Sequence, residues 1–378
     1  MPNCFNDTEL PANFFEIAQD IYSGDPHWIP EDENKIRQQF SIANPYFENC
    51  HAKVFVSSTD ARLVGFYNPD LEIEDEKIAY FGFWETKNKL AVNADLFEQV
   101  EKWAKECGAS RIFGPINFST YQNNRLRVDG FDNSSFIDEP YNPDYYPDLL
   151  ANLGYEKKYG YATGINENIP NLIKQVAAPF SMLKKQSEKT FIFERLTGEV
   201  WLENLEKFYP LVDAIFSKNF AYTAISWESF KAQCGESFAK KLCPESSVIV
   251  YDLQGGIAGF FITYPDYGSL VNQQAQVEKV ALSSSDINYQ QHYSLLQQPR
   301  LLLAKTCGVA PQYRSAGLFP LMSMQLSMWA EGFYEHVSGA MVREDNASMS
   351  FYKSLIKAGN KDFVMRNYAL FTKALGEK

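Results

Sequence analysis

Six consecutive residues, Gln312, Tyr313, Arg314, Ser315, Ala316 and Gly317, lie between an apolar run, Arg300 to Val309, and a segment with helical spacing. The run is short enough for a buried strand, Pro311 stops it, and Leu318, Leu321, Met322, Gln325, Leu326, Trp329 and Phe333 then recur as one helix would place them. A helix start carries unpaired N–H groups and a partial positive charge, and a glycine there lets an anion approach the backbone. The loop is therefore suited to a phosphate, although many α/β units turn this way with no ligand.

The elements downstream narrow the reading. A strand is expected at His336 to Val342, followed by Asn346-Ala347-Ser348-Met349-Ser350-Phe351-Tyr352, a helix, and a last strand near Asp362 to Thr372. This succession resembles the second half of the GNAT acyl-CoA N-acyltransferases, whose pattern Arg/Gln-x-x-Gly-x-Gly/Ala binds the coenzyme A pyrophosphate. Arg314 and Gly317 match it, and Phe319 stands where a small residue is usual. Pro320 suits the first turn of a helix. The resemblance implies that acyl-CoA is held by Val309, Gln312, Arg314, Ser315, Ala316, Gly317, Leu318, Phe319 and Asn346. It also implies that Tyr352 protonates the departing thiolate, a task for which a neutral phenol is suited. Phe351 and Leu355 read as the apolar face of the same helix.

Length and composition bound the rest. At 378 residues the chain suits two domains, and 45% hydrophobic with 15% aromatic residues gives ample core and excludes disorder. A net charge of -12 without a basic run argues against nucleic acid or an anionic membrane as partner. The six cysteines show no C-x-x-C pair and no metal spacing with the four histidines, so no metal is expected and reduced thiols in a cytoplasmic protein are. Cys307 reads as a small buried residue. No signal-peptide pattern and no run of about 18 apolar residues is present, so no integral membrane segment is expected.

The first half carries the same order of elements. A helix is expected around Phe14 to Ser23, strands at Ala52 to Ser57, Leu63 to Asn68 and Lys77 to Trp84, and a helix with Leu96, Phe97, Val100, Trp103 and Ala104 on one face. A strand at Arg111 to Phe113 and a helix at Tyr146 to Leu153 follow. Six motifs in one order make this half resemble a group of bacterial GNAT-like proteins similar to YghO: Tyr22 to Pro30, Asn44 to Phe47, Phe81 to Glu85, Gly114 to Asn117, Asp129 to Asp132, and Pro140 to Tyr146. The expected fold is therefore α/β with a mixed sheet, as two tandem GNAT-like domains, 1–165 and 191–378, joined by a linker at 166–190 that holds a helix at Leu172 to Ala177.

The two copies differ where chemistry would occur. After Trp84 the first copy runs Glu85 to Asp95 with no Arg-x-x-Gly and no glycine at the helix start, so the acyl donor is expected in the second copy and the acceptor pocket in the first. Candidate acceptor contacts are Asn117, Tyr121, Asp129, Asp132 and Tyr141, in a long polar and aromatic stretch; the same residues also fit ordinary turns and a helix cap. The stretch from Asp266 to Pro299 reads equally as a lid or a polar surface excursion. Glu278, Glu335 and Glu344 are the acids nearest the loop in sequence, and none is favoured as general base.

The implied function is transfer of an acyl group from coenzyme A to a primary amine of a small-molecule or lipid-like acceptor. Acyl carrier protein or aminoacyl-tRNA as donor, or a non-catalytic acyl-CoA sensor, are the alternatives, and the acidic charge disfavours tRNA.

Overall fold

Strand β1 (His51–Ser57) pairs antiparallel with β2 (Ala61–Ile73), and β2 with β3 (Glu76–Thr86); Ala61 to Tyr67 of β2 and Ile78 to Trp84 of β3 are buried without a break, as strands covered on both faces are. The computed structural model describes residues 6–271, 282–346, 348–357 and 359–376. They form two compact units: 1–160 with Asn219–Thr223 and Asn367–Lys378, and Tyr161–Lys218 with Ala224–Arg366.

In unit 1, β4 (Arg111–Gly114) runs parallel to β3, with the crossover made by the helix Leu90–Cys107. That helix buries Leu96, Phe97, Val100, Trp103 and Ala104, the face its spacing predicts, and Cys107 as well. The short β5 (Leu126–Arg127) and β4 both pair with the end of β12 (Phe363–Ala374), whose Phe371 to Ala374 lie antiparallel to Arg111 to Gly114. The core gathers Phe81, Trp84, Phe97, Trp103 and Tyr146 with Ala369 and Phe371 from the far end of the chain.

Unit 2 repeats the plan. Strands β7 (Phe191–Arg195), β8 (Val248–Asp252), β9 (Ile257–Pro265) and β10 (Leu301–Val309) are antiparallel neighbours, and β11 (His336–Arg343) runs parallel to β10. The last strand is the end of β6 (Glu156–Asn166), whose Tyr161 to Asn166 pair antiparallel with β11. Each unit is thus closed by a strand from the other half of the sequence.

Most expected elements appear with longer ends: the helix after β6 spans Ile169–Ser187, and the loop helix spans Leu318–Ala330. Phe333, expected on that helix, lies beyond it and is 39% exposed, because the chain leaves the helix after Ala330. Cys107 is disulfide-bonded, which corrects the expectation of six reduced thiols, since spacing along the chain says nothing of pairing over long range. Cys50, Cys234, Cys243 and Cys307 are free. Among the described residues no helix is long and apolar enough to cross a membrane, and no group of three or more His, Cys, Asp or Glu side chains could hold a metal ion.

Candidate active site

The site grows from a parting of strands in unit 2. β10 and β11 pair from Leu301/His336 to Ala304/Gly339 and no further, while β10 continues to Val309 along β9 after an irregularity between Ala304 and Thr306. A wedge therefore opens beyond Ala304 and Gly339, and the end of β10 leads into the loop.

Pro311 to Tyr313 form one 3-10 turn, and Gly317 adopts a left-handed conformation, φ 68°, immediately before the helix. Glycine meets that requirement without strain, and nothing stands within 4 Å of where its Cβ would be. Gln312, Arg314, Ser315, Ala316 and Gly317 are all exposed. The amide of Ala316 is spent on Tyr313 O at 2.9 Å, whereas those of Ser315, Gly317 and Leu318 make no backbone hydrogen bond among the described residues and are available to an anion.

Two contacts hold the loop. The Tyr313 hydroxyl donates to Asp252 Oδ2 at 2.9 Å, and Arg314 Nη2 donates to the carbonyl of Ile215 at 3.1 Å, in the last turn of the helix Leu205–Phe216. The Gly256 and Gln254 amides and the Tyr313 hydroxyl keep the Asp252 carboxyl below its ordinary range, so it is ionised at neutral pH.

Behind the loop lies a pocket with about 430 Å³ of empty space, open solvent included. Its wall is chiefly apolar: Leu172, Phe261, Phe319, Leu326, Val337 and Phe363 contribute, with Tyr352 and Gly339 beside them. Phe319, the departure from the small-residue pattern, turns its ring toward Phe261, 6.0 Å between centroids, and lines this pocket.

Tyr352 sits on the helix Met349–Lys357 and is only 6% exposed. Burial, and to a lesser degree the neighbouring Cys307, push its phenol well above the ordinary range, so it keeps its proton at neutral pH. Burial likewise raises the Cys307 thiol, which makes it a poor nucleophile. Asn346 accepts from the Ser348 amide at 2.9 Å, and its carbonyl accepts from the Met349 amide at 3.0 Å, so it shapes the turn into the Tyr352 helix.

The nearby acids are placed as follows. Glu335 accepts from the Arg300 amide at 2.7 Å, a structural role, and Glu344 is exposed. Glu278 and positions 272–281 of the Asp266 to Pro299 stretch lie outside the described residues.

The five acceptor candidates all fall in unit 1, and most have their polar atoms engaged there. Asn117 Oδ1 accepts from the Phe83 amide at 2.8 Å, and Asp129 takes both the backbone and side-chain N–H of Asn367, at 2.7 and 2.6 Å. Tyr121 and Tyr222 join hydroxyls at 3.0 Å, Tyr141 donates to Asp25 at 2.6 Å, and Asp132 is exposed.

Two features escaped the sequence reading. In unit 1 the Tyr22 and Tyr146 hydroxyls both donate to Glu85 Oε2, each at 2.9 Å, and burial raises the Glu85 carboxyl to about 7 despite the Arg62 guanidinium nearby. In unit 2 the buried Asn166 is among the residues that line the pocket, and its Nδ2 has no hydrogen-bond partner. The signal for the first was an acid next to the end of the β3 run; for the second there was none, because Asn166 reaches the pocket through strand pairing across the chain.

This geometry belongs to a fold class. The chain has the tandem GNAT fold: it matches a tandem GNAT protein from the clavulanic acid biosynthesis pathway over 97% of this chain and 94% of that one, at 10% identity and a TM-score of 0.52. A GCN5-related glucosamine N-acetyltransferase region of a fungal multi-domain β-N-acetylglucosaminidase matches 95% of this chain and 36% of its own, at 12% identity and the same TM-score.

In sequence the chain is similar to the protein YghO of Escherichia coli K12, 22% identical over 275 residues, covering 70% of this chain and 68% of that protein. It is also similar to the bacterial ceramide synthase of Caulobacter vibrioides, 20% identical over 268 residues, 68% of each. No family model matches.

Proposed function

We propose that the protein is an N-acyltransferase that moves an acyl group from acyl-CoA to a primary amine of a small-molecule or lipid-like acceptor by direct attack. The observation that carries this reading is the placement of a proton-bearing phenol, Tyr352, in the wall of an apolar pocket that Phe319 shares with the first turn of the loop helix.

The exposed loop would receive the pyrophosphate on the free amides of Ser315, Gly317 and Leu318, with Arg314 adding positive charge. The amine nitrogen attacks the thioester carbonyl, a C–N bond forms, the C–S bond breaks, and sulfur takes the proton of Tyr352. The proton lost by the amine leaves to solvent or to a base that the described residues do not single out. A phenol with a raised pKa is neutral throughout the physiological range and so is always loaded for this step.

Unit 1 is assigned the acceptor and no donor. Next to the end of its β3 stands the carboxyl of Glu85, an acid that offers a pyrophosphate no positive charge, whereas β10 ends in the neutral Val309. Similarity to a ceramide synthase supports a lipid-like amine, since a ceramide is the amide of a fatty acid with a long-chain amino alcohol.

The test is calorimetric binding of acetyl-CoA and longer acyl-CoAs to the wild type and to Gly317→Trp. Binding to the wild type that the variant abolishes supports a donor at this loop. Absence of binding to the wild type sinks the acyl-CoA reading and favours a carrier-protein donor or a protein without turnover.

A further inference from the structure

We infer that the unit 2 pocket selects an acyl group carrying a hydroxyl, which Asn166 recognises through Nδ2. This rests on the proposal that the pocket beside Tyr352 receives the donor's acyl end.

Asn166 ends β6 opposite Val337 of β11 and is 2% exposed. Its Oδ1 accepts from the Asn168 amide at 3.0 Å. That bond fixes the orientation of the side-chain amide, because a flipped amide would set its NH₂ against an N–H. The Nδ2 group is thus left as a buried donor without an acceptor, on a residue that lines a pocket whose wall is otherwise mainly carbon. Buried donors are nearly always satisfied, so an unpaired one in a cavity wall points to a ligand oxygen.

Two further wall residues restrict what that ligand is. Ser323 and Ser327 spend their protons on the carbonyls of Phe319 and Ser323, at 2.8 and 2.9 Å, and can only accept from anything in the pocket. Besides the Tyr352 hydroxyl, the wall therefore offers one side-chain donor and two acceptors amid apolar surface. A plain alkyl chain uses none of them, a keto group uses the donor alone, and a hydroxyl can use both kinds.

The experiment is calorimetry with dodecanoyl-CoA and its 2-hydroxy, 3-hydroxy and 3-oxo derivatives, on the wild type, Asn166→Asp and Ser323→Ala. Asn166→Asp keeps the acceptor for the Asn168 amide and removes the donor, and Ser323→Ala sits on a helix where alanine folds well. We expect one hydroxyacyl-CoA to bind the wild type about tenfold more tightly than the unsubstituted chain, an amount typical of one net hydrogen bond. That preference should vanish in Asn166→Asp and shrink in Ser323→Ala. Equal affinities in the wild type, or a preference that survives Asn166→Asp while the melting temperature holds, overturns the inference and leaves the acyl-CoA reading standing. No binding of any of the four overturns both.

Discussion

The Tyr352 hydroxyl occupies the space that a Cβ on Gly339 would need. The ring also approaches Gly164 on β6, where an added Cβ would stand 3.2 Å from Tyr352 Cδ1 and closer still to Phe363. Two adjacent strands therefore leave out side chains at the point where the phenol rests. Gly339→Ala must push the ring out or move the strand. Overpacking of this kind costs about 1–3 kcal/mol, so a lowered melting temperature is expected together with a turnover loss larger than the loss of acyl-CoA affinity. Normal turnover in Gly339→Ala would show that the position of the phenol is immaterial.

Tyr352→Phe removes the proton donor and keeps the ring. Acyl-CoA affinity should hold while kcat falls by about 10²–10⁴-fold, the usual contribution of a general acid. The pH profile gives an independent check. Because the Tyr352 pKa lies above its ordinary value, its deprotonation should produce no alkaline fall in wild-type kcat up to about pH 10, the value for an unperturbed tyrosine. A fall centred near pH 8 would assign the acid to another group.

Much of this site was legible in local sequence, and the limits were set by distance along the chain. The strand, Pro311, Gly317 and the helix that follows are neighbours in sequence, and their periodicity and turn chemistry are local properties. Helix Leu90–Cys107 was legible for the same reason. Asn166 and Gly339 were not, since Asn166 comes opposite Val337, and Gly339 opposite Gly164, only because β6 pairs with β11, some 170 positions later. The division of the chain at 166–190 follows the repeat in sequence, while the closing strands follow pairing partners that no local pattern reveals.

Strand exchange makes a definite prediction for truncation. Removing positions 367–378 takes from unit 1 the buried Tyr368, Ala369, Leu370 and Phe371, the Asn367 partner of Asp129, and the Lys373 ion pair with Glu101 at 2.8 Å. It also strips the hydroxyl that Tyr368 gives to Glu139, which is buried with Arg127. Leaving such groups unpaired is costlier than losing surface contacts. Hydrogen exchange on the truncated chain should show β3 and β4 unprotected. A fragment ending at position 190, cut where the sequence repeat suggests, should fail for the same reason. Native-like protection of β4 in either fragment would rule out a structural need for the exchanged strand.

Glu85 supplies a pH dependence whose direction can be worked out. Its carboxyl is raised to about 7, chiefly by burial, with Arg62 and the hydrogen bonds from Tyr146 and Tyr22 working in the opposite direction. Glu31, ion-paired with Arg62 at 2.5 Å, adds to the rise. The folded chain thus holds a proton that the unfolded chain releases in the ordinary carboxyl range. Between about pH 4.5 and 7 the folded state binds more protons, so stability falls as pH rises. The contribution is complete below the unfolded pKa and is lost through the folded one, and it amounts to at most about 3 kcal/mol. Glu85→Gln keeps an oxygen for both phenols and carries no charge. Urea unfolding of the full chain should show the wild type losing stability relative to this variant as pH rises from 5 to 8, with the gap closing below about pH 4.5. Parallel curves for the two proteins would mean that the carboxyl ionises as freely in the folded chain as in the unfolded one.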